Sequence, residues 1–410
     1  VAKETERQGF TVPLLIGGAT TSQIHTSVKI DPEYSAPVVH VRDASLAVGV
    51  VSNLLSNEQH ESFAQKNAEL HEETRRKRAA SNEQKEYLPI SEVRRKKFDG
   101  FANGYRPETP GTIGVVKMED ADLQTIASYI DWAYFFVAWD MKGSFPAMLD
   151  DPVMGEQARS LYQDAQAMLA QIIRDKQLKA SGACGIFPAH STANDTIEIF
   201  ADPQKKELLT RLPALRQQRR KSETPYYLSL ADYIAPEGSG LLDYIGAFAV
   251  TAGIGLPDLV ARYEADNDDY RVILAKVLAD RLAEAFAEYL HELMRKQIWG
   301  YAPEEDLSTE DLLHIRYRGI RPAPGYPPCP DHTDKDRIWE LLHPDELGIK
   351  LTESKMMTPA ASVSGFVFAH PESKYFSVGK VARDQVEDFA RRRGEPVEEA
   401  ERWLQSVLAY

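Results

Sequence analysis

The chain has 410 residues, of which 43% are hydrophobic and 27% are charged, and its net charge is −14. This length predicts two or three domains, and the composition is that of an ordinary globular protein with no apolar run long enough to span a membrane. The negative charge argues against nucleic-acid binding, and the two cysteines, Cys184 and Cys329, exclude a disulfide framework or a cysteine-rich zinc site and fit the reducing cytoplasm.

The first 57 residues alternate between strand and helix patterns. Short apolar runs predict buried parallel strands, and the segments between them have helical spacing. The predicted order is a strand at 11–16, a helix at 22–29, a strand at 36–41 and a helix at 44–55. This is the back half of a doubly wound α/β sheet. Two strands do not complete such a sheet, and the chain begins within a helical pattern, so we expect that it was cut from a longer protein.

Gly17 and Gly18 follow the first predicted strand and precede a helix. At such a turn the backbone can approach a flat or phosphorylated ligand, but a tight turn needs glycine just as much. The sequence contains neither a Gly-x-Gly-x-x-Gly motif nor a Walker loop. It therefore does not indicate a dinucleotide or nucleoside triphosphate site.

Residues 58–108 form a polar, highly charged connector that we expect to contain an exposed helix. Its basic run at 94–97 is typical of a solvated face rather than of a nucleic-acid site. From residue 109 onward the pattern is that of an α+β domain. Helices are predicted within 121–141 and at 156–175, 268–301 and 384–404, and strands at 184–188, 196–200, 242–251, 362–369 and 374–378.

Residues 319–330 contain five prolines and two glycines around Arg321 and Tyr326. Proline fixes φ and restricts the residue before it, so the segment predicts a stiff loop rather than a helix or a central strand. Arg321 offers a planar fork of donors that suits a carboxylate, and Gly325 permits close approach of the backbone to a ligand. The loop is either a wall of a small-molecule site or a proline-rich connector.

Three further sets of residues could carry chemistry. Asp131 stands among apolar and aromatic neighbours in the sequence. It is either a partner for a ligand ammonium or part of an exposed turn of an amphipathic helix. Arg281 and Glu284 share a helix face, where they form a surface ion pair or the rim of a pocket. Cys329 and His332 have no second pair at zinc spacing, so a metal site is not indicated.

Five segments of the chain together resemble the C-terminal part of cobalamin-dependent methionine synthases, in order and in approximate spacing. They are residues 12–22, 130–132, 279–286, 321–326 and 370–375. The most specific is Arg321-Pro322-Ala323-Pro324-Gly325-Tyr326 within its frame of prolines. The similarity covers nearly the whole chain.

The resemblance implies a fold and a function. The fold is an α/β remnant of a doubly wound cobalamin-binding domain at 1–57, a charged linker at 58–108, and an α+β, C-shaped activation domain with a twisted antiparallel sheet and long helices at 109–410. The function is that of the S-adenosylmethionine-binding reactivation module, which supports reductive methylation of cob(II)alamin in an enzyme that methylates homocysteine from methyltetrahydrofolate. No catalytic side chain is expected, because methyl transfer from a sulfonium to cobalt releases no proton and depends mostly on positioning.

The resemblance also assigns binding residues, motif by motif. The implied S-adenosylmethionine contacts are Asp131, Glu284, Arg321, Ala323, Gly325, Tyr375 and Phe376. The implied cobalamin contacts are Gly17, Gly18, Ala44 and Tyr326. Asp131 would neutralise the ligand ammonium, and Arg321 would clamp its carboxylate with two hydrogen bonds. Phe376 stands where the family often has a second tyrosine, so we expect only a backbone contact from it.

Partners and location follow from the same resemblance. We expect a cytoplasmic monomer that meets flavodoxin or a related flavoprotein and the other domains of its enzyme, without nucleic acid or membrane. Zinc would belong to a homocysteine module that this chain lacks, as it lacks the folate module. The alternative function is a protein-interaction module that docks the flavoprotein without binding a small molecule. A free-standing Rossmann-type methyltransferase is disfavoured, because residues 109–410 lack the glycine-rich loop with a downstream acid.

The family's Asp-x-His-x-x-Gly motif, which supplies the histidine that ligates cobalt, is missing from this sequence. We therefore predict that this chain alone does not turn over methionine and binds cobalamin weakly or not at all. An equilibrium titration with methylcobalamin measures this, and sub-micromolar binding would contradict the prediction.

Overall fold

The computed structural model describes residues 2–17, 22–41, 44–56, 59–83, 86–221 and 225–410. The chain divides into two compact units, Val1–Glu86 and Tyr87–Tyr410, so that the boundary falls inside the segment predicted as a linker. Within the described ranges no helix is long and apolar enough to cross a membrane.

The first unit contains a pair of parallel strands with helices around it. Its elements are α1 (Ala2–Arg7), β1 (Leu14–Gly17), α2 (Gln23–His25), β2 (Val38–Val41), α3 (Ala44–Leu55) and α4 (His60–Glu83). Leu14 lies opposite Val38 in the parallel pair, as the two apolar runs predicted. The helix expected in the connector is α4, and its Asn67 side chain donates to the Val38 carbonyl oxygen at 2.8 Å. This bond ties the charged helix to β2.

The second unit is built on a six-stranded antiparallel sheet. The six strands are β3 (Gly114–Ala121), β4 (Lys179–Ser191), β5 (Thr196–Phe200), β6 (Leu208–Pro213), β7 (Asp243–Ile254) and β10 (Ser362–Val367). Strands β8 (Lys350–Leu351) and β9 (Met357–Thr358) form a separate two-stranded sheet. The order across the large sheet is β10, β7, β4, β5, β6, and β3 also pairs with β4. The predicted antiparallel sheet is therefore confirmed.

Helices cover both faces of this sheet. They are α5 (Ile90–Arg95), α6 (Leu123–Ala127), α7 (Trp132–Val137), α8 (Gly155–Arg174), α9 (Leu256–Ala265), α10 (Asp269–Leu293), α11 (Thr309–Leu313), α12 (Lys335–Leu342), α13 (Arg383–Arg393) and α14 (Val397–Leu404). The longest, α10, buries an apolar residue on nearly every turn against the sheet and against α8. Residues of α10 form one side of the cleft described below.

Alternation along the central strands produces a hydrophobic core on each face of the sheet. Cys184 and Ile186 of β4 point into the core that contains α8 and α10. Ala183 and Phe187, which come directly before and after this pair in the sequence, point into the opposite core, which includes Ile338 of α12. Because both faces are covered, β4 and β7 are buried over almost their whole length.

Several predicted elements differ from the structure. The terminal helix predicted at 384–404 is interrupted between α13 and α14, because Gly394 adopts a left-handed φ of 71° and Pro396 follows it. The helix predicted within 121–141 is two short helices, α6 and α7, each capped by an aspartate. The strand predicted at 374–378 is wrong, since that segment is not part of a described sheet. Strands β3 and β6 were not predicted, because charged residues interrupt their short apolar patterns.

The proline-rich loop at 319–330 is bonded to the edge of β10 and to the residues that follow it. Ile320 exchanges two backbone hydrogen bonds with Phe368, at 3.0 and 2.9 Å, and the N–H of Phe366 donates to the Pro322 carbonyl at 3.0 Å. A Cβ atom on Gly365 would lie 2.9 Å from that carbonyl oxygen. The glycine therefore lets the loop pack this closely on the strand.

We predict that Gly365→Ala lowers the free energy of unfolding by about 1–3 kcal/mol, because the added methyl group overpacks the contact between β10 and the loop. Gly111→Ala is the matched control, since its Cβ would lie 3.4 Å from the nearest carbonyl oxygens. Urea denaturation of both variants measures the difference. Wild-type stability in the Gly365→Ala protein would contradict this account of the loop.

Candidate functional site

A cleft of about 830 Å³ lies between α10, the α6–α7 segment and the proline-rich loop. Its charged and hydroxyl-bearing lining residues are Tyr129, Asp131, Tyr134, Arg281, Glu284, Glu288, Tyr317, Arg321, Tyr326, Tyr375 and Ser377. Apolar side chains such as Phe248 and Val363 cover much of the remaining surface. All the residues predicted to contact S-adenosylmethionine line this cleft except Gly325.

Asp131 is the N-cap of α7. Its Oδ1 accepts hydrogen bonds from the backbone N–H groups of Ala133 at 2.9 Å and Tyr134 at 3.3 Å. This satisfies the first turn of a helix that would otherwise begin with unpaired donors. No donor among the described residues bonds to Oδ2. Asp131 therefore caps α7 with one carboxylate oxygen, and its second oxygen remains available to the cleft.

Arg321 projects into the cleft from a segment that is fixed on both sides. Its neighbours Ile320 and Pro322 are buried and bonded to the β10 edge, so its side chain is directed toward α10. One Nη2–H donates to the carboxylate of Glu288. Burial disfavours the charge of Arg321, but Glu288, Tyr317, Tyr375 and Glu284 together more than offset this, and the pKa of the guanidinium lies above its ordinary value. Arg321 therefore stays charged at any pH at which the protein is folded.

Two tyrosines support this arginine. The backbone N–H of Arg321 donates to the hydroxyl oxygen of Tyr375 at 2.9 Å. Tyr317 is buried beside them and packs edge-on against His291 of α10, with ring centroids 4.9 Å apart. The guanidinium of Arg295 lies 4.5 Å from the centroid of the Tyr317 ring. The predicted ligand residue Tyr375 thus also holds the loop that carries Arg321.

The polar face of α10 supplies the opposite wall. Arg281, Glu284 and Glu288 are spaced three and four residues apart, which places them on one side of the helix. In the described structure Arg281 and Glu284 do not form the surface ion pair that the sequence allowed, and both line the cleft instead. The Arg281 Nε–H is buried without a hydrogen-bond partner among the described residues.

The other predicted residues of the loop region lie in two places. Ala323, Phe376 and Tyr326 line the cleft, and the Tyr326 side chain is largely exposed at its rim. Gly325 lies outside the lining and has a left-handed φ of 99°. A Cβ there would lie 2.2 Å from the ring of His332, so the packing of the loop against His332 by itself requires glycine at this position.

The residues predicted to contact cobalamin in the first unit are only partly described. Gly17 is the last residue of β1, and a Cβ there would lie 3.1 Å from the Val41 carbonyl oxygen of β2. Ala44 is the first residue of α3, and Gly18 lies outside the described residues. Gly17 and Ala44 are therefore near the carboxyl ends of the two parallel strands, the edge at which doubly wound sheets bind ligands.

The sequence did not predict Glu288, which accepts from Arg321, or Tyr317, which is buried in the same cleft wall. Glu288 could have been found from helical spacing, since it follows Glu284 by four residues on the same face. Tyr317 gave no such signal, because it precedes the loop in an irregular segment. Neither residue belongs to a motif that was recognised.

Cys329 and His332 do not form a metal site in the described structure. The Cys329 thiol donates to Asp334 at 3.2 Å, and burial raises its pKa well above the ordinary value. No group of three or more potential ligands that could hold a metal ion occurs within the described ranges. Cys329 is a buried part of the loop's own packing.

The charged groups of the cleft come from three elements. The α7 cap supplies a carboxylate, α10 supplies two carboxylates and the Arg281 guanidinium, and the loop supplies the Arg321 guanidinium, which pairs with Glu288. Aromatic and aliphatic side chains form the rest of the lining. Such an arrangement suits an elongated ligand that carries an ammonium, a carboxylate and a flat apolar part.

Comparison with known proteins identifies the family. Residues 122–394 match the family described as vitamin B12 dependent methionine synthase, activation domain. A solved structure described as the MetH reactivation domain bound to AdoHcy has a TM-score of 0.76 and 48% sequence identity, and the match covers 79% of this chain and 99% of that chain. The matched residues contain every wall of the cleft. The chain therefore belongs to the family of vitamin B12-dependent methionine synthases and contains their activation domain.

Proposed function

We propose that this chain binds S-adenosylmethionine in the cleft between α10 and the proline-rich loop. The observation that carries the proposal is the convergence of Asp131, Glu284 and Arg321, which are far apart in the sequence, on one cavity of about 830 Å³. The related reactivation domain, at 48% identity, is bound to AdoHcy, the demethylated form of this ligand.

In this proposal each charged group at the amino-acid end of the ligand has a partner of opposite charge. The free Oδ2 of Asp131 accepts a hydrogen bond from the ligand ammonium, with Glu284 as a second acceptor. Arg321 donates to the ligand carboxylate, and the backbone of Ala323 and Phe376 completes the polar contacts. Aromatic rings of the cleft face the sulfonium, which they attract as they do other soft cations. Gly325 contributes by shaping the loop.

The chemistry proposed for this site is the donation of a methyl group during reactivation of the full-length enzyme, a methyltransferase. The cobalamin of that enzyme is the methyl acceptor once flavodoxin or a related flavoprotein has supplied one electron. The cleft fixes the donor and keeps its methyl group directed toward the acceptor, so that its contribution is positioning rather than acid–base catalysis. We propose that Tyr326, at the exposed rim, faces the acceptor.

The remaining assignments are proposals that rest on the resemblance. We propose that the first unit is the end of a cobalamin-binding domain in which Gly17, Gly18 and Ala44 lie along the nucleotide tail of cobalamin. We also propose that the protein is a cytoplasmic monomer that binds its flavoprotein and the other domains of its enzyme. Zinc is assigned to a module outside this chain.

We predict that Arg321→Ala and Asp131→Asn each weaken S-adenosylmethionine binding by about 1.5–3 kcal/mol, the range for a hydrogen bond to a charged group. Asparagine still caps a helix, so Asp131→Asn removes the charge without removing the start of α7. Isothermal titration calorimetry measures both affinities.

Arg316→Ala is the matched control for the arginine. Arg316 lies five residues before Arg321, its side chain is 61% exposed, and it pairs with Asp311 outside the cleft. We expect wild-type affinity from it. Wild-type affinity in both Arg321→Ala and Asp131→Asn would contradict the assignment of these two residues to the ligand. If the wild-type chain bound no S-adenosylmethionine at all, the chain would instead be an interaction module without this ligand.

We predict that Tyr375→Phe weakens S-adenosylmethionine binding by about 0.5–1.5 kcal/mol, because Arg321 loses the hydroxyl that accepts its backbone N–H. Tyr226→Phe serves as the control, since the Tyr226 hydroxyl accepts from Lys374 on the surface and lies outside the cleft lining. The same titration reports both variants. Tighter binding by Tyr375→Phe than by wild type would contradict a supporting role for this hydroxyl.

A further inference from the structure

The ion pair between Glu288 and Arg321 is incomplete on both sides. Glu288 is only 8% exposed, and its Oε2 accepts from Arg321 Nη2. Its Oε1 and the Nε–H of Arg321 are both buried without a hydrogen-bond partner in the part of the chain that the structure describes. Buried charged groups in folded proteins normally have their hydrogen-bonding capacity filled. The free Nε–H therefore marks an open position for an acceptor that this chain does not supply.

Glu288 is held more firmly than the arginine it contacts. It lies on α10 with buried Ala285, Ala287 and Leu290 around it, so its backbone does not move without disrupting the core. Arg321 has a fixed backbone, but the long side chain retains several rotatable bonds. The only described side chain that hydrogen-bonds to its guanidinium is Glu288. The orientation of the donor fork is thus determined by Glu288.

The pair also leaves room for a ligand. Glu284, one turn earlier on α10, is exposed, whereas Glu288 is buried, so the ion pair lies at the closed end of this wall. Arginine has five N–H donors in one plane, and Glu288 occupies one of them. A carboxylate that enters the cleft can then bond the remaining donors without displacing Glu288.

We infer that Glu288 is a positioning residue, whose carboxylate orients the Arg321 guanidinium toward the carboxylate of the methyl donor. This inference rests on the proposed function, because it needs S-adenosylmethionine in the cleft. It assigns to α10 a part in selecting ligands that carry an α-carboxylate. Glu288 does not itself touch the ligand.

Decarboxylated S-adenosylmethionine is the probe that isolates this role, because it lacks only the carboxylate. We expect wild-type protein to bind it about tenfold to a hundredfold more weakly than S-adenosylmethionine, the loss of a charged hydrogen bond. In Glu288→Ala the ratio of the two dissociation constants should fall to about threefold or less. In Glu288→Gln it should lie between these values, because the amide oxygen still accepts one bond.

The direction in which the ratio of dissociation constants changes distinguishes a positioning role of Glu288 from a purely electrostatic one. The decarboxylated probe carries one more net positive charge, so simple loss of a negative charge from the cleft would weaken the probe more and raise the ratio. Positioning lowers the ratio. Asp269→Asn, which removes an exposed acid from the first turn of the same helix, is the matched control and should leave the ratio at its wild-type value.

Titration calorimetry of the whole chain with both ligands provides the readout, and thermal unfolding establishes that each variant is folded. A wild-type ratio near one would overturn the assignment of Arg321 to the ligand carboxylate, and with it the proposed site. A large wild-type ratio that is unchanged in Glu288→Gln and Glu288→Ala would overturn only the role of Glu288. Tighter S-adenosylmethionine binding by Glu288→Ala would also overturn it, since Glu288 would then compete with the ligand.

Discussion

The attachment of the proline-rich loop to β10 is the constraint on which the site depends. Backbone bonds from Ile320 and Pro322 to the β10 edge leave Arg321 between two fixed points, and Gly365 provides the space for this contact. The guanidinium then meets Glu288 on α10, a helix packed against the same sheet. One sheet therefore sets the distance between the two charged walls of the cleft.

This construction explains how the proposed site, which has no catalytic acid or base, would serve methyl transfer in the full-length enzyme. The donor brings its own leaving group, so the protein contributes orientation and charge complementarity. A binding site orients its ligand well only if the side chains that bind the ligand are themselves fixed by packing and hydrogen bonds. Asp131 is held as a helix cap and Arg321 by Tyr375 and Glu288, so both of these charged groups have a structural reason for their position.

The sequence was sufficient for some of this account and not for the rest. Local rules predicted the stiffness of the proline-rich loop, the middle of strand β4, most of strand β7, and Asp131 as a carboxylate with a specific role. They did not predict Glu288 as the partner of Arg321, because that pair joins residues 33 positions apart and depends on how the loop meets α10. They also did not predict the packing of Gly325 against His332, since a glycine pattern does not show which atom approaches it.

A crystal structure of this chain with S-adenosylmethionine tests the central claim most directly. The account predicts electron density for the amino-acid end of the donor between Asp131 and Arg321, with the Arg321–Glu288 bond intact and the Arg321 Nε–H bonded to the donor carboxylate. Density for the donor elsewhere, with Arg321 bonded to Glu288 alone, would contradict it.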